Sequence, residues 1–155
     1  MPEEFTQAAA RNQLHRYLVR TLRALPAELS IALQHPQLPR ARLHGGVTMP
    51  FGDDGREIVS EYFTIGYWVI GTTPDTAGEY FDSVVRSWAE FGWPTRADRS
   101  GSRTRAADTR TPDDFQLHIQ RSANGYLSLS GSTPPFPVGS VAGDPLPQVI
   151  EHPTG

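Results

Sequence analysis

Apolar residues recur at helical spacing in two parts of the chain. Within residues 2–25 they stand three or four positions apart, which predicts an amphipathic helix that ends before Pro26. The same spacing returns after Thr73-Pro74-Asp75, residues that are typical of a helix start, and it ends at Gly92. The pattern therefore predicts an N-terminal and a central helix, and a further short helical turn over residues 27–33.

Other parts of the chain alternate between apolar and polar residues, or are continuously apolar, and predict strands. The run 57–70 is apolar on both faces, which indicates a central strand. Asp54-Gly55 and Asn124-Gly125 are dipeptides that tight hairpin turns prefer. The polar segment 96–110 predicts an irregular or edge strand pair. The predicted strands lie in residues 43–49, 57–70, 115–120 and 126–129.

The order of these elements defines a fold class. Hairpins rather than alternating strand and helix units connect the strands, which favours an antiparallel sheet. We predict an α+β two-layer sandwich of about four to five strands, with the N-terminal and central helices on one face. With 155 residues, one domain is expected over residues 1–133, followed by a proline-rich strap or disordered tail over residues 134–155.

The amino-acid composition argues against several classes of function and site. All 14 basic residues are Arg, yet the net charge is -3, which argues against a dedicated nucleic-acid binder. Without cysteine, neither a disulfide nor a thiolate metal site can form. The N terminus does not read as a signal peptide and no long apolar run is encoded, so no membrane span and a cytoplasmic location are expected.

Known catalytic and nucleotide-binding motifs are absent from the sequence, and no cofactor is expected. The five histidines lack the spacing of metal ligands. Strand pairing could bring His44 and His118 together with Glu61 as an acid/base or zinc cluster, but single histidines on polar strand faces are more often exposed. We therefore predict no catalytic residue and no metal site.

Two sets of residues are candidates for binding. The first set is rich in arginine and could grip a phosphate or a carboxylate, although interleaved acids favour local salt pairing. It comprises Arg96, Arg99, Arg103, Arg105 and Arg110. The second set would line a pocket between the sheet and the central helix, although plain core packing is the simpler explanation of its aromatic residues. It comprises Tyr67, Trp68, Tyr80, Trp88, His44 and His118.

Two further surfaces are candidates for binding, and each is also explained by an ordinary structural role. Arg16, Arg20 and Arg23 form a basic stripe on the first helix, which could face a membrane but is more typical of a solvated helix face. The run Pro134-Pro135-Phe136-Pro137 matches a minimal P-x-x-P ligand, and it would serve equally well as a strap on its own domain.

Four short segments resemble a group of small actinobacterial proteins, many of them exported lipoproteins and some of them mycobacterial. The segments are residues 67–70, 88–93, 111–117 and 124–134. The resemblance implies an α+β sandwich and an actinobacterial source, and it transfers no catalytic residue. Members of the group commonly carry a lipobox cysteine near the start and a second cysteine where Pro135 stands, and this chain has neither.

These observations favour a non-enzymatic domain that binds a protein partner. The expected surface is the sheet edge, the segment 96–110 or the proline-rich tail. A more specific hypothesis is an immunity or chaperone-like partner of a secreted effector, and a homo-oligomer is compatible with the sequence. The alternative is a small-molecule binder or enzyme with its pocket between the sheet and the central helix.

Overall fold

The computed structural model describes residues 5–36, 43, 45–51, 60–98 and 104–153. These residues form two helices and nine strands, and neither helix is long and apolar enough to cross a membrane. The elements are α1 Gln7–Arg23, β1 Ser30–Ala32, β2 Val47–Pro50, β3 Ser60–Ile70, α2 Ala77–Glu90, β4 Thr95–Asp98, β5 Arg105–Arg110, β6 Gln116–Arg121, β7 Leu127–Ser132, β8 Phe136–Pro137 and β9 Val149–Ile150.

One antiparallel sheet contains all of these strands, in the order β4-β5-β6-β7-β3-β1-β9, with β2 and β8 also paired to β3. The predicted α+β class is therefore confirmed, and β3 is the central strand. The predicted strand number is too low. The additional strands β1, β8 and β9 have only two or three residues each, too few for alternation to be visible in the sequence.

Segment 27–33 was predicted to be helical, and this prediction is wrong. Ile31 of β1 pairs with Val69 on one side and with Ile150 on the other. A strand of three residues is too short to show a period in the sequence, so its conformation is decided by the strands that flank it. The Asn124-Gly125 turn is present, with Gly125 at a φ of 85° between β6 and β7, whereas the Asp54-Gly55 turn lies outside the described residues.

Both helices pack on the same face of the sheet. Alternate residues of β3 point into this layer, and Phe63, Ile65, Tyr67 and Val69 are buried there. Trp88 of α2 is completely buried, and its indole N–H donates to the Thr21 hydroxyl of α1 at 3.0 Å, which joins the two helices. The opposite face of the sheet carries no helix within the described ranges.

Residues 134–153 lie against the domain as a strap that contributes β8 and β9. Leu146 and Ile150 of the strap are buried. Carbonyl groups of the strap also accept hydrogen bonds from the rest of the domain. The N–H of Ala8 donates to the Val141 carbonyl at 2.8 Å, and the Tyr67 hydroxyl donates to the Pro147 carbonyl at 2.9 Å. The strap therefore satisfies an amide at the start of α1 and the buried phenol of the central strand.

Candidate functional site

The candidate site is the part of the sheet that faces away from the helices on β4, β5, β6 and β7, here called the open face. Because side chains alternate along a strand, every second residue of these strands lies on it. All of these residues are exposed or half-buried, and ten of the eleven are polar. They are Arg96, Asp98, Ala106, Asp108, Arg110, Gln116, His118, Gln120, Ser128, Ser130 and Ser132.

A polar row crosses the middle of the open face. Arg96 lies opposite Asp108, Asp108 opposite His118, and His118 opposite Ser130. The Asp108 carboxylate lies 2.6 Å from His118 Nδ1, so Nδ1–H donates to Asp108 and the ring is held in one orientation. His118 Nε2 is 3.4 Å from the Gln120 side-chain oxygen.

This row contains an oriented imidazole but not the rest of an acyl-transfer site. No hydrogen bond joins Ser130 to His118 in the described part of the chain, so the serine has no base to activate it. A flat sheet face also presents no convergent N–H groups for an oxyanion, because the strands use their amides in the ladder. The described side chains of this row can donate and accept hydrogen bonds.

Aromatic rings border the open face at β3. His35, Trp68 and Tyr126 contact one another edge to face, with ring centroids 5.1 to 6.3 Å apart. His35 is only 6% exposed, so it fills the space beside Trp68. The cluster gives this border of the open face a rigid apolar wall.

A depression of about 550 Å³ lies at the opposite end of the open face. Its lining combines the rings of Phe51 and Tyr62 with two prolines and five polar residues. These are Pro134, Pro135, Arg110, Asp114, Gln116, Ser132 and Thr133. Arg110 and Asp114 are exposed, with 3.8 Å between their charged groups. This volume suits a small molecule or one large side chain of a partner. No local sequence pattern predicts this depression, because its lining comes from four separate segments.

The predicted arginine set does not form one cluster. Arg96 and Arg110 lie on the open face, whereas Arg105 lies on the helix face, where its guanidinium is 3.9 Å from Asp82 of α2. Arg99 and Arg103 lie outside the described residues. Alternation separates Arg105 from Arg110, since an odd and an even position of one strand cannot share a face.

The predicted pocket between the sheet and α2 is occupied by core side chains. Tyr67 and Trp88 are completely buried there, and burial raises the pKa of the Tyr67 phenol. Trp68 points to the opposite face of the sheet, and Tyr80 packs half-buried against the core. These four residues therefore do not line one cavity.

The remaining candidates are also separated. His44 lies outside the described residues, and Glu61 and His118 occupy opposite faces of the sheet, so they do not form a cluster. Within the described ranges, no group of acids and histidines is arranged to hold a metal ion. On α1, the Arg20 guanidinium stacks on Phe91 at 4.2 Å, so one member of the basic stripe is engaged with the protein itself.

No family model, curated protein or solved structure matches the chain. The resemblance to small actinobacterial proteins thus stays a hypothesis.

Burial lowers the pKa of the His35 imidazole, because the apolar surroundings disfavour its charged form. The unfolded chain then binds a proton at His35 more readily than the folded chain, so stability falls as the pH drops from about 6.5 toward the lower folded-state pKa. We expect His35→Gln to flatten the decline in unfolding free energy, measured with urea, between about pH 7 and about pH 5. His15 has a lowered pKa from the same cause and will retain part of the slope. A slope identical to that of the wild type would contradict this prediction.

Proposed function

We propose that this chain is a non-enzymatic protein-binding domain whose partner docks on the open face. One observation carries the proposal: α1 and α2 both cover the same side of the sheet, and four neighbouring strands keep their other side uncovered in the described residues. A two-layer fold needs only one buried sheet face, so the uncovered face is available to another molecule.

The chemistry of the open face supports a protein partner. Serine and glutamine side chains offer both donors and acceptors, and Arg96, Arg110, Asp98 and Asp108 supply both signs of charge. Protein interfaces routinely use such polar surfaces, with water filling the gaps between the partners. The depression beside Tyr62 can hold an apolar anchor residue, which is the kind of contact that dominates binding energy.

A substitution at the β7 side of the open face tests the proposal. Ser130→Arg places a long charged side chain between His118 and Gly66, at one end of the polar row of the docking surface. Ser83→Arg on the outer side of α2 is the matched control. The partner would be captured from the native host with the wild type, identified, purified and titrated calorimetrically against all three proteins.

We expect Ser130→Arg to weaken binding at least about tenfold, the effect of losing about 1.4 kcal/mol at an interface. Ser83→Arg should bind like the wild type. Equal affinity of the wild type and Ser130→Arg would place the partner elsewhere and end the proposal. Circular dichroism of both variants checks that the fold is intact.

The specific form of this proposal is an immunity or chaperone-like role toward a secreted effector. A small acidic domain with a polar docking face suits a partner that must be held reversibly before export or inhibited after entry. Co-expression with an effector encoded beside this gene should protect the host or keep the effector soluble. The Ser130→Arg variant should lose that effect while Ser83→Arg keeps it.

A second candidate function is binding of a small anionic aromatic molecule in the depression. The observation that favours it is the combination of Phe51 and Tyr62 rings with the Arg110 guanidinium around a space of about 550 Å³. Thermal-shift measurements with a panel of aromatic carboxylates would test it. A shift that Tyr62→Ala and Arg110→Gln both abolish would support this function, and no shift with any compound would remove it.

A further inference from the structure

Within the described residues, the backbone groups on the outer side of β4 have no strand partner. β4 is the last strand of the sheet and pairs only with β5 among the described strands. The Arg110 N–H donates to the Pro94 carbonyl at 3.4 Å, so the backbone of residue 94 faces β5. Because the direction alternates along a strand, residues 96 and 98 also face β5, and the N–H and C=O groups of Thr95 and Ala97 point away from the sheet.

We propose that β4 of a second copy of this chain pairs antiparallel with β4. The twofold axis that relates the two copies passes midway between their Ala97 residues. The two Ala97 residues then lie opposite each other and exchange both backbone hydrogen bonds. Arg96 of each copy lies opposite Asp98 of the other, on the open face. This inference goes beyond the proposed function and does not depend on it.

The charge pattern of β4 selects this register. An axis through Arg96 would place the two Arg96 side chains opposite each other, and an axis through Asp98 would do the same with the two acids. Like charges directly opposite each other destabilise a strand pair, whereas opposite charges stabilise it. Charged residues on an edge strand commonly prevent pairing. Here they disfavour the two neighbouring symmetric registers and favour the register centred on Ala97.

The spacing across the new strand pair also suits an ion pair. The backbone hydrogen bonds across the edge come from the two Ala97 residues, so Arg96 and Asp98 of the second copy form a non-hydrogen-bonded pair. In such pairs the Cα atoms are about 4.5 Å apart and the side chains are closest. The twofold axis generates this contact twice.

Pairing through β4 would join the two open faces into one surface. In a continuous antiparallel sheet the twofold axis is perpendicular to the sheet, so the helices of both copies lie on one side and both open faces on the other. A dimeric or repetitive partner would then engage two sites at once.

The experiment uses complementary charge variants and analytical ultracentrifugation. Wild-type protein should dimerise reversibly at high concentration, and less at high salt. Arg96→Asp places two acids opposite each other at both contacts, and Asp98→Arg places two arginines opposite each other. We expect each variant to dimerise about tenfold more weakly than the wild type, because two attractive pairs become repulsive.

An equimolar mixture of the two variants is the decisive sample. In a mixed dimer one copy carries two acids and the other two arginines at positions 96 and 98, so both contacts are again opposite in charge. The mixture should dimerise as the wild type does. As a second test, Ala97→Pro should abolish dimerisation while β4 stays paired to β5, because the amide that it removes points outward.

Three results would overturn the proposal. They are a wild-type protein that stays monomeric at millimolar concentration, a dimer that neither charge variant weakens, and a mixture that does not dimerise. Thermal unfolding of each variant shows whether the monomer remains folded. The partner-binding test on Ser130 is read separately, since Ser130 lies on β7 and away from the β4 edge.

Discussion

Replacement of Trp88 by alanine is expected to lower the free energy of unfolding by about 3–5 kcal/mol. Trp88 is completely buried between the sheet and the two helices, so truncation leaves a large cavity in a close-packed layer. It also removes the donor to the Thr21 hydroxyl, which is itself buried and then lacks this partner. Urea unfolding followed by far-UV circular dichroism measures the change.

Two companion variants separate the contributions at this position. Trp88→Phe keeps most of the volume but loses the indole N–H, and it should cost less than the alanine variant, about 1–3 kcal/mol. Ala89→Ser, at the neighbouring exposed position of α2, should change stability by less than about 0.5 kcal/mol. A loss below about 1 kcal/mol in Trp88→Ala would show that this side chain is not part of the core.

Removal of residues 139–155 is expected to prevent stable folding. The truncation takes away β9 and the buried side chains Leu146 and Ile150, and it uncovers the Tyr67 hydroxyl. Loss of two buried aliphatic side chains alone costs about 4 kcal/mol or more. Domains are stable by only about 5–15 kcal/mol in total, so the remainder would be mostly unfolded or readily cleaved by protease.

Neighbouring positions of β9 provide a milder version of the same test. Ile150 is buried and Val149 is 53% exposed on the same two-residue strand. Ile150→Ala should destabilise the protein by about 2–4 kcal/mol and Val149→Ala by less than about 0.5 kcal/mol, as measured by thermal unfolding. A truncated protein with the melting temperature of the full chain would show that the strap is an independent tail.

The sequence predicted the elements whose residues repeat a pattern for long enough. The helix over residues 77–90 and the hairpin of β6 and β7 are each specified by several periods or by a turn dipeptide. Strands such as β1 and β9 are specified by their neighbours in space. Two residues of Val149–Ile150 carry no period, and only pairing with Ile31 makes them a strand.

The same limit applies to the candidate site. Alternation in 115–120 was enough to place His118 on the polar side of its strand, but its partner Asp108 depends on the register between β5 and β6. Arg105 and Arg110 are an odd number of positions apart in β5, so they face opposite sides of the sheet. The sequence did not show this, because the bounds of β5 could not be predicted from it. The depression beside Phe51 joins segments that are far apart in the chain, and no local pattern encodes such a junction.

The strap also has a consequence for how the protein is made. Because Ala8 is hydrogen-bonded to Val141 and Ile31 pairs with Ile150, the strap completes the start of α1 and the edge of β1. The strap is synthesised after the other described elements, so the edge of β1 stays unpaired until residue 150 has left the ribosome. Folding of this domain is therefore completed only after the strap emerges, and chains interrupted before residue 139 should aggregate.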